Sequence, residues 1–470
     1  MTNLAEAAPA SAQPKPPTWR TRIRNALARV RAPFSVALAR MRAPFSDALA
    51  RVRALVAQTE IDLRLFGMLV ALGVILLVFN TASNGKLVQP ANMITMAVQA
   101  CGIAILATGM VMVIVSRNID LSVGSLVGLI SMSYAILMTD WFPHILGLSS
   151  SVPLQWALAL VLGIGIGVVV GAIQGFIIAY IGVPSFVVTL GGLLSIRGLI
   201  WYQSQGSAVT GLDPTFQLIG GGALGSAGEV VTWAIGIVGC LAVVGLLLNN
   251  RRQRRRYGFP LRPIWAEVVI GAVASVGILF LAWFANNNFW PKGLADQYAA
   301  SHGITPPAGG LLIPTGFPFP VLLLIGVTLV MTWLANRRKF GRNVYAYGGN
   351  PDAALLAGIN TRWTIMKTYM VMGVLCALAA AIAAARLNGS TLDIGVSYEL
   401  YVIAAAVVGG TSFAGGIGTI PGAVLGAFVM QSLAYGLSFI GVNSPGQNVV
   451  AGIVLILAVG FDTWNRRRAR

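Results

Sequence analysis

The sequence predicts an all-α protein that crosses a membrane about twelve times, and three observations predict it. Of 470 residues, 56% are hydrophobic and 10% are charged, whereas a soluble domain carries about 25% charged residues. Apolar runs recur between Leu65 and Phe461, several of them reaching the ~20 residues that cross a bilayer as a helix. The positive charges sit between those runs rather than in one patch. Thus the net charge of +18 orients the chain in a lipid bilayer and does not point to nucleic acid.

Residues 1–64 come first and are basic. They contain an 11-residue repeat at 20–30, 31–41 and 42–52, each copy carrying Ala-Leu-Ala-Arg. That period suits a helical stripe, although Pro33 and Pro44 interrupt it. The segment reads either as a partly helical stretch lying on the anionic inner leaflet or as a disordered leader that sets orientation. It lacks the apolar core of a signal peptide.

The spans are expected at 65–82, 92–115, 121–138, 154–181, 183–200, 230–248, 264–284, 318–335, 365–385, 401–416, 417–438 and 449–463. Those at 183–200, 401–416 and 417–438 are the weakest and include candidates for half-helices or re-entrant segments. With alternating spans, 28 of the 32 Lys and Arg residues fall on one side: in 1–64, at Arg117, in 249–263, in 336–367 and in the tail 464–470. Both termini are therefore expected in the cytoplasm. The four cations off this pattern are Lys86, Arg197, Lys292 and Arg386. Residues 65–463 make the transmembrane domain. Within it, residues 171–185 echo 426–444, which hints at two related halves. Residues 206–317 match neither half and read as an insertion of two helices and a polar outer loop.

The residue inventory excludes several chemistries. Cys101, Cys240 and Cys376 lie in apolar runs without CxxC spacing, and only His144 and His302 are present. No disulfide, metal site or catalytic cluster is expected. No G-x-x-x-x-G-K-[ST] phosphate loop occurs, so the chain itself binds no ATP through that motif. Of 14 acidic residues, Asp120 and Glu399 alone are expected inside the protein at membrane depth. That is thin for a proton relay, so energy supplied by a partner subunit explains the sequence better than a stand-alone ion-coupled carrier.

A partner needs a docking surface, and residues 339–360 offer one. Gly348-Gly349-Asn350-Pro351 reads as a turn. Asn350 or Asp352 can cap the next helix, with Pro351 in its first turn. That short helix, over 352–357, would close at Gly358, and Ala353, Ala354 and Ala357 would let it enter a groove closely. The alternative is an ordinary linker between spans.

These residues carry a resemblance. Asp352-Ala353-Ala354 followed by Gly358 resembles the E-A-A-x-x-x-G coupling loop of ABC importer permeases, with Asp in place of Glu. The string Gly341-Arg342-Asn343-Val344-Tyr345-Ala346-Tyr347-Gly348-Gly349-Asn350 is similar to the ribose/xylose-type sugar permeases. Ile119-Asp120-Leu121-Ser122-Val123-Gly124-Ser125 resembles the family's I-D-L-S-V-G-S signature, here preceded by Arg117-Asn118 instead of Gly-Gly. Val407 to Gly418 resembles its V-x-G-G-T-S-x-x-G-G-x-G segment. The resemblance covers roughly 65–205 and 318–463 and leans towards the xylose-type members. It implies the ABC importer permease fold and a homodimer, with a periplasmic sugar-binding protein delivering the solute. A cytoplasmic ABC ATP-binding subunit, which uses the ATP, would dock at Gly341, Arg342, Gly348, Gly349, Asn350, Asp352, Ala353, Ala354, Gly358, Ile359 and Asn360. Permeases of the same superfamily for branched-chain amino acids or nucleosides remain alternatives.

The solute path is read from polar groups in apolar surroundings. A helix entering at Leu121 would be capped by Asp120, which places Asn118, Asp120, Ser122 and Ser125 near the path or in capping roles. Residues 409–418 hold five glycines in ten residues and read as a bent or re-entrant segment, tolerated at depth only against protein or a watery cavity. That adds Gly409, Gly410, Thr411 and Ser412. Gln99, Gln174 and Glu399 are further candidates for contacting a hydroxyl-rich sugar, against the alternatives of interhelical hydrogen bonds and an interfacial position.

Overall fold

Backbone in lipid must satisfy its own polar groups, and the apolar runs do so as helices. The structure, a computed structural model, describes residues 63–145, 147, 154–307 and 309–469. The N-terminal repeats lie outside the described residues.

In chain order the helices are α1 (Leu63–Ala82), α2 (Pro90–Val115), α3 (Val123–Ile136), α4 (Leu154–Phe176), α5 (Ser185–Ser204), α6 (Pro214–Gln217), α7 (Gly228–Arg256), α8 (Ile264–Asn286), α9 (Lys292–Ser301), α10 (Phe319–Arg337), α11 (Lys339–Gly349), α12 (Pro351–Leu356), α13 (Thr361–Leu387), α14 (Tyr398–Val408), α15 (Ile420–Phe439) and α16 (Ser444–Ala469). Single π turns extend α3 through Trp141 and α4 through Ile181. Strands β1 (Val209–Thr210) and β2 (Gly389–Ser390) pair antiparallel.

Each of the twelve expected spans coincides with a helix, but among the described residues ten are long and apolar enough to cross. The two short ones are α14 and the apolar part of α16, Ser444–Leu457. The expected span 401–416 is thus an 11-residue half-helix. It stops because Gly410, Gly415 and Gly416 adopt φ of 96°, 84° and 73°, a left-handed conformation no helix continues through.

Residues 62–249 and 271–470 form one body; residues 250–270 belong to a second unit. The first body is built around α2, α3 and α13, whose most apolar windows are 89%, 78% and 67% buried. The corresponding windows of α1 and α7 are 11% buried. Their exposed apolar faces, such as Leu77 on α1 and Val230 on α7, suit lipid.

A stripe of glycines lets α4 approach α13 closely. Gly163, Gly167, Gly171 and Gly175 recur every fourth residue along α4, so they share one face. A Cβ at Gly167 would overlap the carbonyl of Gly373 on α13, and one at Gly171 the carbonyl of Tyr369. Backbone against backbone is the lipid-phase substitute for a hydrophobic drive.

The two echoing segments end alike. The π turn after α4 stops at Gly182 with φ 86°, and the turn after α15 holds Gly441 with φ 88°. Each is followed by a helix starting at a serine, Ser185 or Ser444.

The 206–317 segment is not all excursion. Asp213 caps α6 by accepting from the amides of Thr215 and Phe216 at 2.8 and 3.0 Å. Phe216 is buried against the Tyr134 ring, centroids 5.4 Å apart. Gly220 packs on the backbone of Ala385 and Arg386. The loop ends are stitched where Ala227 donates to Phe317 O and Phe319 to Gly225 O, both at 2.9 Å.

Residues 250–270 form a basic turn of their own. Arg251 pairs with Glu267 at 2.7 Å, and Arg254 donates to the Pro260 carbonyl at 3.2 Å. Among the described residues no His, Cys, Asp and Glu cluster could hold a metal.

Candidate functional site

The expected docking segment is a pair of helices in a tight turn. α11 runs through Gly348 and Gly349, so these are helical residues and not the expected turn; the break comes at Asn350 (φ −148°, ψ 103°). Gly348 is required for a different reason, since a Cβ there would overlap the carbonyl oxygen of Val115 at the end of α2. The Asn350 side chain caps α12 by accepting from Ala353 N at 3.0 Å. The helix closes when Ile359 N donates to Ala354 O at 3.1 Å and Gly358 N to Leu355 O at 3.0 Å, with Gly358 at φ 74°. These are the paired bonds of a Schellman end. Asn360 then caps α13 through Trp363 N at 2.9 Å.

The surface of α12 differs from the expected one. Ala354 is 4% exposed and faces its own chain, whereas Leu355 and Leu356 are 63% and 88% exposed. Asp352, Ala353 and Gly358 are also exposed. The small size of Ala354 serves internal packing, and the outward apolar groups are the two leucines. Gly341 packs against the carbonyls of Leu334 and Ala335, and Arg342 donates to Arg337 O at 3.2 Å.

Several contacts tie this hairpin to the bundle. Arg117, left-handed at φ 62°, donates from Nε to Gly348 O at 2.8 Å and from Nη2 to Gly349 O at 2.9 Å. Gly416 N donates to Val115 O at 3.0 Å. Tyr345 donates to Gly418 O at 2.8 Å, and burial raises its phenol above the ordinary value, keeping it a neutral donor. The three motif segments at 115–125, 339–360 and 407–418, distant in sequence, therefore meet at one place.

The break between α2 and α3 is a buried polar knot. Asp120 Oδ1 accepts from Ser122 N at 2.9 Å and Ser122 Oγ at 2.7 Å. Gln174 Nε2 donates to Ser122 Oγ at 3.0 Å, Ser125 to Leu193 O at 3.0 Å, and Asn118 to Ser116 O at 2.9 Å. The helix begins at Val123 with Ser122 at its N-cap, not at Leu121 with Asp120 as the cap. Asp120 accepts two residues ahead, which is an Asx turn, because the chain needs two further residues to turn before its dihedrals become helical. Replacing Asp120 by alanine strands the buried Ser122 amide and is expected to cost about 1–3 kcal/mol; asparagine, which keeps an acceptor, should lose less. Thermal unfolding midpoints in detergent check this.

The glycine-rich turn is also bonded within the chain. Gly409 packs on the backbone of Gly422, Arg64 donates to Gly410 O at 3.0 Å, Thr411 N donates to Ala406 O, and Ser412 N to Ile417 O, both at 2.9 Å. The Thr411 hydroxyl is buried without a hydrogen-bond partner among the described residues. A cavity of about 340 Å³ opens beside this turn, walled by Arg64, Tyr345, Gly410 and Gly418. Glu399 lies against Gly124 and in the field of Arg197, which donates to the carbonyls of Leu392 and Ile394 at 3.0 and 3.2 Å.

Gln99 alone of the expected path residues lines a cavity at the other end of α13. That space of about 210 Å³ is also walled by Arg386, Tyr398, Tyr401, Gln431 and Gln447. Sequence reasoning missed these five. Arg386 stood out as a cation off the basic side, and Gln431 as an amide inside an apolar run, but neither belongs to a motif.

The family described as branched-chain amino acid transport system / permease component matches residues 92–459. The xylose transport system permease protein XylH of Escherichia coli strain K12 is 34% identical over 410 residues, covering 87% of this chain and 94% of its own. The galactose/methyl galactoside import permease protein MglC of the same strain is 28% identical over 412 residues, covering 86% and 94%. The ribose import permease protein RbsC of that strain is 30% identical over 360 residues, covering 76% and 81%. No solved structure matches the chain.

Proposed function

The chain belongs to the family of branched-chain amino acid transport system permease components, and from that premise we propose that it is the membrane-spanning permease subunit of an ATP-driven importer for a small sugar, a pentose such as xylose. The observation that carries this reading is the α11–α12 hairpin. It presents two leucines, 63% and 88% exposed, beside basic residues and is clamped to the bundle through Arg117. An apolar, uncompensated pair of this kind fits a protein groove, here that of a cytoplasmic ATP-binding subunit. The hairpin lies in the half of the loops that carries the positive charge, which supports a cytoplasmic position for it and for both termini in a bacterial inner membrane.

The mechanism is mechanical. Closure of the ATPase pair displaces α12. Rigid α11 carries the displacement to Arg117 and Gly348, and these sit on the end of α2 and on the 409–418 turn. Asp120, Ser122 and Gln174 form the joint between α2 and α3, so that movement about it changes which end of the bundle is open. Two copies of the chain work together, and a periplasmic binding protein delivers the sugar. The similarity to XylH, MglC and RbsC supports a sugar, and the higher identity to XylH leans to xylose.

Proteoliposomes test the reading. Uptake of labelled xylose is expected only when the chain is reconstituted with its ATP-binding subunit, a binding protein and ATP. Uptake by the chain alone under an ion gradient would overturn the proposal in favour of a stand-alone carrier.

A further inference from the structure

Arg386 is the side chain the fold leaves least explained. It stands at the last turn of α13, a helix of 27 residues and therefore roughly 40 Å long, at the end away from the docking hairpin. Among the described residues its guanidinium makes no hydrogen bond or ion pair. It lies in the wall of the cavity of about 210 Å³ and of a neighbouring one of about 330 Å³, the two sharing Val98 and Arg386. Arg386 is exposed and also stands in the wall of both cavities, so its donors are open to a solute that enters.

The rest of the wall says what would arrive. Gln431 Nε2 donates to Gln99 Oε1 at 3.1 Å, which leaves the Gln99 amide NH₂ and the Gln431 carbonyl without partners among the described residues. Tyr398 and Tyr401 bring phenols and aromatic faces, and no carboxylate lines either cavity. Donors and acceptors in alternation beside aromatic surface match the hydroxyls and the C–H face of a neutral polyhydroxylated solute. A cation finds no counter-charge. The smaller space holds about seven waters at about 30 Å³ each, room for one monosaccharide.

We propose that this cavity is the site where a neutral monosaccharide first rests on the permease, with Arg386 and the Gln99–Gln431 pair as its polar contacts. The proposal rests on the importer reading above and adds where, and by which residues, the solute is held. Arg386 faces the end without the basic loops, the end at which a delivered solute would arrive.

The experiment uses the full chain reconstituted with its ATP-binding subunit and binding protein, with D-xylose as probe. Arg386→Ala and Gln431→Leu are expected to lower xylose uptake at least tenfold while the ATP-binding subunit still co-purifies, and Arg386→Lys should restore part of the loss. In a chain whose native cysteines are alanine, Ala434→Cys in the cavity wall should react with a maleimide and be protected by xylose. Unchanged uptake in both variants, or labelling indifferent to xylose, overturns the proposal. Stronger protection by the anion xylonate than by xylose overturns the neutral class. If a variant fails to assemble, labelling at position 434 decides alone. A wild-type complex that neither assembles nor transports sinks the importer reading instead, and that result is read before any variant is made.

Discussion

Replacing Leu355 and Leu356 together by aspartate is expected to abolish co-purification of the ATP-binding subunit while the folded chain stays intact. The two side chains are 63% and 88% exposed, so they contribute little to the fold of this chain. Seated in a partner groove, each would contribute about 2 kcal/mol of apolar burial, and the pair about 4 kcal/mol, roughly a thousandfold in affinity. The milder Leu356→Ala should weaken association roughly thirtyfold. Ala354 is the contrasting position. It is 4% exposed, so enlarging it damages the hairpin itself and cannot distinguish docking from folding. Binding measured between detergent-purified subunits checks the prediction; leucine-to-aspartate variants that hold the ATPase as tightly as wild type would exclude α12 as the dock.

Substitution of Gly167 or Gly373 by leucine is expected to prevent accumulation of folded protein. Each glycine packs against the other's backbone, and a carbonyl cannot move aside as a flexible side chain can. Overpacking costs about 1–3 kcal/mol where side chains can yield. Here α4 must separate from α13 along the stripe Gly167, Gly171 and Gly175, against a typical stability of about 5–15 kcal/mol. Gly165, two residues along α4, would have nothing within 4 Å of an added Cβ, so Gly165→Leu should give a normal size-exclusion profile. A normal profile for Gly167→Leu would show that the contact is looser than the structure has it.

Much of the architecture was readable from residues 63–469 because the bilayer imposes a length and a polarity on each span. Helices α2, α4, α8, α10 and α13 begin and end near where the apolar runs do, whereas α7 runs on through the arginines to Arg256. The short helix α12 and its ends were readable as well, since Asn350, Pro351 and Gly358 are local signals that need only their neighbours. Local rules failed at Gly348. A Gly-Gly-Asn-Pro string reads as a turn, yet Gly348 is helical, and it is a glycine because Val115 O occupies the space a Cβ would need. They failed again at Asp120, whose buried hydrogen bonds to Ser122 delay the start of α3 by two residues.

Composition and period were enough to set the class of protein and its helices, because each segment expresses these without its neighbours. Helix packing had to supply the rest: the convergence of the three motif segments on Arg117, the outward face of Leu355 and Leu356 rather than Ala354, and the cavity wall that Arg386 shares with Gln99 and Gln431. The reason is physical. A hydrogen bond between residues separated by 231 positions, as from Arg117 to Gly348, or by 332, as from Gln431 to Gln99, depends on how helices pack, and in lipid that packing is set by close backbone contacts that leave no periodic trace in a single segment.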